Sequence, residues 1–120
     1  MRLLICGDRN WRDGEMIHNA VLSLNPEVII HGGAKGADAI GGLVAKVLGI
    51  SVLEFPADWD LYHKAAGPIR NKQMLDEGKP THVAVFHDDI GHSKGTADMV
   101  RRANKAGIPI MFYCHMSNEL

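Results

Sequence analysis

The chain predicts an α/β fold of the Rossmann-like, doubly wound type, a single domain whose five strands form one parallel sheet in the order 3-2-1-4-5. Three observations carry this. Short apolar runs alternate five times with stretches of helical periodicity. The runs are nearly continuous in apolar character, the pattern of parallel strands covered on both faces. Two glycine-rich turns, His31-Gly32-Gly33-Ala34-Lys35-Gly36-Ala37-Asp38 and Ser93-Lys94-Gly95-Thr96-Ala97-Asp98, each connect an apolar run to a helical stretch.

In chain order the predicted strands are Leu3–Cys6, Val28–His31, Ser51–Phe55, His82–Phe86 and Ile108–Tyr113. Met16, Ile17, Ala20, Val21 and Leu24 recur at helical spacing after the first strand. Ile40, Leu43, Val44, Val47 and Leu48 do so after the second, and Gly49 supplies the stop. Ile69 to Leu75 and Met99 to Ala106 give two more helices, the last ended by Gly107 and Pro109. The pair Gly41-Gly42 inside the second helix costs about 1 kcal/mol per glycine relative to alanine. Close packing of that helix on the sheet offsets this, or else close approach of a partner chain does. No repeat, linker or low-complexity tract interrupts the alternation, and the tail Ser117–Leu120 is expected to fray.

Composition narrows the function classes. With 120 residues, one domain can bury roughly two thirds of its unfolded surface. A hydrophobic content of 46% and a charged content of 22% place the chain among soluble globular proteins. No apolar stretch approaches the length of about 20 residues that a membrane span needs. The apolar start Met1–Gly7 is too short for a signal peptide and ends at Asp8-Arg9-Asn10, so a cytoplasmic protein without membrane partners is expected. A formal net charge of −1, with no lysine or arginine run, weighs against extended nucleic-acid binding. Cys6 and Cys114 lie in apolar runs without metal-type spacing and read as reduced, buried thiols.

A strand that runs through glycines into a helix leaves unpaired N–H groups at the helix start, which favour anions. In the strand order above, the sheet reverses between its first and fourth strands, and ligands bind beyond the carboxyl ends of the strands there. That places Gly7 to Arg9, the first glycine turn and the loop from His87 to Thr96 around one crevice. The candidate ligand-binding residues are therefore Gly7, Arg9, Gly32, Gly33, Ala34, Gly36 and Asp38 on one side, and Ser93, Gly95 and Thr96 on the other. Neither turn has the register of a dinucleotide fingerprint or a P-loop. Arg70, with Asn71 beside it, can clamp a phosphate through its fork of donors or form a surface ion pair. Trp59 can stack on a base or pack, and Asp58 can hold a ribose hydroxyl or cap the next turn. The cluster His87-Asp88-Asp89-Ile90-Gly91-His92 has metal-compatible groups but reads as a turn. His18, His31, His63, His82 and His115 read as structural or solvated.

Five motifs occur in order: Gly7-x-Arg9-x-Trp11-x-Asp13, the first glycine turn, Phe55-Pro56-Ala57-Asp58-Trp59, Ala66-Gly67-Pro68-Ile69-Arg70-Asn71 and Ser93-Lys94-Gly95-Thr96-x-Asp98-Met99-Val100. Over about Leu3 to Ile110 the chain resembles the YspA-type branch of the SLOG superfamily of Rossmann-like proteins. The superfamily includes cytokinin-activating phosphoribohydrolases, the DNA-processing protein of natural transformation, and sensor domains for NAD-derived signals in anti-phage defence. The resemblance implies a nucleotide-derived, ADP-ribose-like ligand at the crevice, no bound cofactor and self-association. It also fits a phage origin, in which case the protein would work in the host cytoplasm. In the phosphoribohydrolases an arginine and a glutamate are catalytic; Arg70 matches the arginine, Asn71 replaces the lysine after it, and Gly95-Thr96 match the Gly-Thr of the second turn. The glutamate position falls on Met99, with Asp98 one residue early, a displacement of about 100° around a helix.

Three readings follow. The first is a binding module for a nucleotide or ADP-ribose-like ligand. The second is an N-glycosidase or related nucleotide hydrolase, with Arg70 holding phosphate and Asp98 or Asp58 as the working carboxylate. The third is a binder of single-stranded nucleic acid, which this charge balance disfavours.

Overall fold

The computed structural model describes residues 1–115. The five strands are β1 (Arg2–Gly7), β2 (Val28–His31), β3 (Ser51–Glu54), β4 (His82–Phe86) and β5 (Ile110–Tyr113). All neighbouring pairs run parallel, in the order β3-β2-β1-β4-β5. The helices are α1 (Gly14–Leu24), α2 (Ala37–Leu48), the short α3 (Trp59–Tyr62), α4 (Ala66–Gly78) and α5 (Lys94–Lys105).

Strand pleat divides the continuous apolar runs between two helical layers. Leu3, Ile5, Ile29, Ala84 and Phe86 face α1 and α2 through Ile17, Val21 and Val44. Leu4, Cys6, Ile30, Val83 and Val85 face α4 and α5 through Met74, Met99 and Ala103. Each large aliphatic side chain so enclosed contributes about 1.5–3 kcal/mol relative to exposure. The glycine pair of α2 lets that helix descend onto the sheet. A Cβ at Gly41 would meet Ile5 at 3.0 Å, and one at Gly42 would meet the His31 ring at 2.8 Å.

The edges depart from the sequence reading. All four residues of β3 are exposed, because the helices centre over β1, β2 and β4. On α2, Leu43 and Val47 share the apolar spacing yet are 62% and 71% exposed. Cys6 is buried as expected, but Cys114 is exposed just past edge strand β5. Ser117–Leu120 lie outside the described residues.

The helices also begin earlier than their apolar periodicity. Apolar positions mark only where a helix touches the sheet, and first turns beyond it are polar. Thus α5 begins at Lys94, with the Ser93 side chain capping the Thr96 N–H, so the second glycine turn is itself the helix's first turn. In α4, Pro68 sits in the first turn, where its missing N–H does no harm.

The reversal of the sheet requires one glycine. Gly7 pairs with Phe86 at the carboxyl ends of β1 and β4, and any Cβ there would overlap the Phe86 carbonyl. Gly7→Ala is expected to destabilise the protein by about 3 kcal/mol or more, because backbone must move. Chemical denaturation of the variant checks this.

Candidate functional site

At the carboxyl end of the sheet lies a crevice of about 920 Å³. Its floor is Cys6 and Gly7 from the end of β1, and Asp8, Arg9 and Asn10 continue along it. One wall is Gly33, Ala34, Lys35 and Asp38, from the first glycine turn and the start of α2. The other is Ser93, Lys94, Gly95 and Thr96, with His87, Asp89 and His92 from the loop before it. Trp59, Gly67, Pro68, Arg70 and Asn71 close the remaining side.

The two turns use glycine for different reasons. Gly33 and Gly36 adopt φ values of 71° and 77°, which side-chain-bearing residues rarely hold. Gly36 also lies against the Asp8 and Arg9 backbone, and the Ala37 N–H donates to the Asp8 carbonyl at 3.1 Å. Gly95 has helical backbone and open space where a Cβ would sit. Neither conformation nor packing therefore explains that glycine.

Arg70 and Asn71 tie the two turns together. The Arg70 Nη1 donates to the Gly32 carbonyl, and its Nε donates to Asn71 Oδ1 at 3.1 Å. The buried Asn71 amide then donates to the Gly95 carbonyl at 3.1 Å and to Asp98 Oδ2 at 3.0 Å. Thr96 closes the set by donating its hydroxyl to the Gly7 carbonyl at 3.1 Å. Among the described residues no carboxylate lies within ion-pair distance of Arg70. The surface ion pair, one of the two roles open to it in the sequence, is not formed among the described residues.

Most of the predicted site residues meet at this crevice. Gly32 lies just beneath it, covered by Arg70, and Gly36 lies behind the Asp8–Arg9 backbone. Asp58 is elsewhere: it caps α3 by accepting the Leu61 N–H at 3.1 Å, and it does not line the crevice. Asp98 also points away. It accepts from Asn71 and pairs with Arg101 at 3.0 Å and Arg102 at 2.8 Å. Burial alone would raise its pKa, but these hydrogen bonds and charges outweigh it and hold the carboxyl below its usual range.

Asp38 is different. It is 5% exposed, and its Oδ2 accepts the Gly32 N–H at 2.9 Å. Burial pushes its carboxyl above the usual aspartate range, against the opposing effects of the Gly32 N–H, the Arg70 charge and the Ala34 N–H. His31, 4% exposed, accepts the Gly33 N–H on Nδ1 at 3.0 Å and supports the turn from below.

Lys35, Lys94, His87, Asp89 and His92 also line the crevice; they are not among the candidate ligand-binding residues of the sequence, although each lies on a segment that the strand order places there. In the His87–His92 loop, Asp89 pairs with His92, and Asp88 turns outward to His115.

The sequence profile of the YspA, cpYpsA-related SLOG family matches residues 1–62. The Gene 61 protein of Mycobacterium phage D29 is 35% identical, over 92% of this chain and 94% of its own. The chain belongs to the YspA, cpYpsA-related SLOG family. The motifs of this SLOG protein that lie within the matched region are Gly7 to Asp13, the first glycine turn and Phe55 to Trp59. The fold is also that of DNA processing protein A from Streptococcus pneumoniae, with a TM-score of 0.78 at 16% identity over 98% of this chain. The SLOG chain described here spans about half of that protein, 51% of its length.

A latch beside the crevice joins three of its supporting segments. The His115 ring stacks on Trp11 at 4.7 Å between centroids. Its Nε2 lies 2.9 Å from Asp13 and its Nδ1 2.9 Å from Asp88, so both nitrogens face carboxylates. Hydrogen bonds from Asp88 and then Asp13 raise the His115 pKa, and the bond to His115 is the main cause that lowers both aspartates. The histidine's contribution is complete below its unfolded pKa of about 6.5 and is lost as pH rises through its raised folded value. The aspartates' contribution is lost as pH falls through their lowered values. The Tm difference between wild type and His115→Ala is therefore expected to peak in mildly acidic solution and to shrink on either side. Thermal melts across pH check this.

Proposed function

We propose that this protein binds a phosphate-bearing nucleotide or ADP-ribose-like ligand in the crevice between its two glycine turns. The reading rests on Arg70: a partly buried guanidinium, oriented by Gly32 and Asn71, faces the crevice with no carboxylate paired to it among the described residues. Such a group can receive a phosphate through its fork of donors. Lys94 and the open backbone of Gly95 stand on the opposite wall, and Trp59, 57% exposed, offers a ring face for a base. Membership of the SLOG family supports a nucleotide-related ligand, and a phage relative is in keeping with a role as a sensor or as a sponge that withdraws a nucleotide signal.

Hydrolysis of an N-glycosidic bond is the alternative. It requires a carboxylate at the ligand, and Asp98 is committed to Asn71, Arg101 and Arg102 outside the crevice, which leaves Asp8, Asp38 and Asp89 as the carboxylates of the lining. Binding draws on Arg70 and the two turns alone and is the reading preferred here.

One assay separates the two. The purified protein is incubated with AMP, ADP-ribose, NAD and cyclic ADP-ribose, filtered, and both filtrate and heat-released fraction are chromatographed. A nucleotide withdrawn from the filtrate and recovered intact supports binding, whereas free base with a ribose phosphate supports the glycosidase. Every nucleotide left untouched in the filtrate contradicts both and favours a nucleic-acid ligand.

Two variants sharpen the result. Arg70→Ala is expected to weaken retention about 10- to 100-fold, the range of a lost charge-assisted hydrogen bond. Gly95→Ala is expected to raise stability by up to about 1 kcal/mol, since helical alanine is favoured and its Cβ meets nothing. The same methyl occupies space on the ligand side, so retention should fall. A variant that gains stability but loses ligand is the expected outcome, checked by paired melting and equilibrium dialysis.

A further inference from the structure

We propose that the crevice takes its anion together with a proton carried on Asp38, so that a phosphate-bearing nucleotide binds against a neutral carboxylic acid. This rests on the nucleotide reading above and adds the protonation state in which the site works.

The argument starts from one peptide group. The Gly32 N–H donates to Asp38 and the Gly32 carbonyl accepts from Arg70, so carboxyl and guanidinium are held on opposite ends of the same peptide unit. They are near enough to interact through charge but are not an ion pair. Asp38 is therefore the buried carboxyl whose charge opposes whatever anion Arg70 receives. When ionised, it offsets part of the guanidinium field and repels the ligand; when protonated, it leaves that field whole. Burial already pushes its carboxyl above the usual aspartate range in the free protein. An anion in the crevice favours it further.

Linkage then fixes the sign. If bound protein holds the Asp38 proton more tightly than free protein, binding takes up a proton and weakens as pH rises. Between the two Asp38 midpoints the dissociation constant should rise by up to about tenfold per pH unit, the limit for one proton.

Other groups around Asp38 must be separated from it. His31 on β2 lies below, its Nδ1 accepting the Gly33 N–H, with Glu54 of β3 3.7 Å from its Nε2. The Cys6 thiol on β1 is itself pushed up by burial and by the Asp38 charge. Arg70 of α4 is described above. Asp8, Arg9, Lys35, His87, Asp89, His92 and Lys94 complete the charged or titratable lining. His87 and His92 would impose the same direction of pH dependence if they met the ligand directly.

The test uses ADP-ribose, whose diphosphate keeps a constant charge across neutral pH. Its binding is followed by calorimetry from about pH 5.5 to about pH 8.5 for wild type, Asp38→Asn and a His87→Ala/His92→Ala double variant. Asparagine keeps an oxygen for the Gly32 N–H but cannot titrate. The expected result is pH-dependent binding with proton uptake in wild type and in the histidine variant, and pH-independent binding in Asp38→Asn. A second measurement on wild type needs no variant to fold: the Asp38 carboxyl carbon signal should titrate above the usual aspartate range and move higher with ADP-ribose. Binding that ignores pH, or a dependence that survives in Asp38→Asn, overturns this inference and leaves the nucleotide reading standing. Absence of ADP-ribose binding at every pH overturns the two together.

Discussion

The Arg70–Asn71 bridge is the interaction on which the site depends. Two strand-to-helix turns, separated in sequence and carried on different strands, become walls of one crevice because these adjacent side chains of α4 reach to both. Arg70 holds the carbonyl of Gly32, Asn71 holds the carbonyl of Gly95, and a hydrogen bond joins the two side chains. Both carbonyls belong to the strand-to-helix turns, so holding them fixes the two turns relative to α4. The bridge makes pre-organised geometry out of two loops that backbone alone would leave independent.

This also explains the division of labour among the acidic residues. Asp98, a candidate catalytic carboxylate in the sequence, works as the anchor for Asn71, itself anchored by Arg101 and Arg102. Its side chain is part of the scaffold beneath the second turn. Asp58 likewise ends as a cap, and Asp88 and Asp13 as clasps around His115. Asp38 is left as the buried carboxyl at the ligand wall, held by a backbone N–H and not by a cation.

The sheet and its order were legible in the sequence because strand periodicity, helix stops and glycine turns are local signals. Val28–His31 and His82–Phe86 coincide with the observed strands for that reason. The crevice was legible as well, since the order places Gly7, Gly33 and Gly95 at one end of the sheet. What local signals do not carry is side-chain partnership across elements. Asp98 and Asp58 sit in motifs that suit either ligand or scaffold, and only packing decides which. His115 is another case: nothing near it in sequence shows that it stacks on Trp11 and joins Asp13 to Asp88. The exposure of Leu43 and Val47 belongs here too, because periodicity finds a helical face without finding what covers it.

The central claim is that the ligand lies between the two glycine turns, and amide mapping by NMR tests it most directly. ADP-ribose is added to the isotopically labelled protein and each backbone N–H is followed, together with the Trp59 indole. The account predicts saturable shifts concentrated at Gly33, Ala34, Gly95 and Thr96 and at the Trp59 ring, with both turns responding at one common affinity. Shifts confined to one turn, or gathered instead at the shallow groove between α1 and Tyr113, would contradict it.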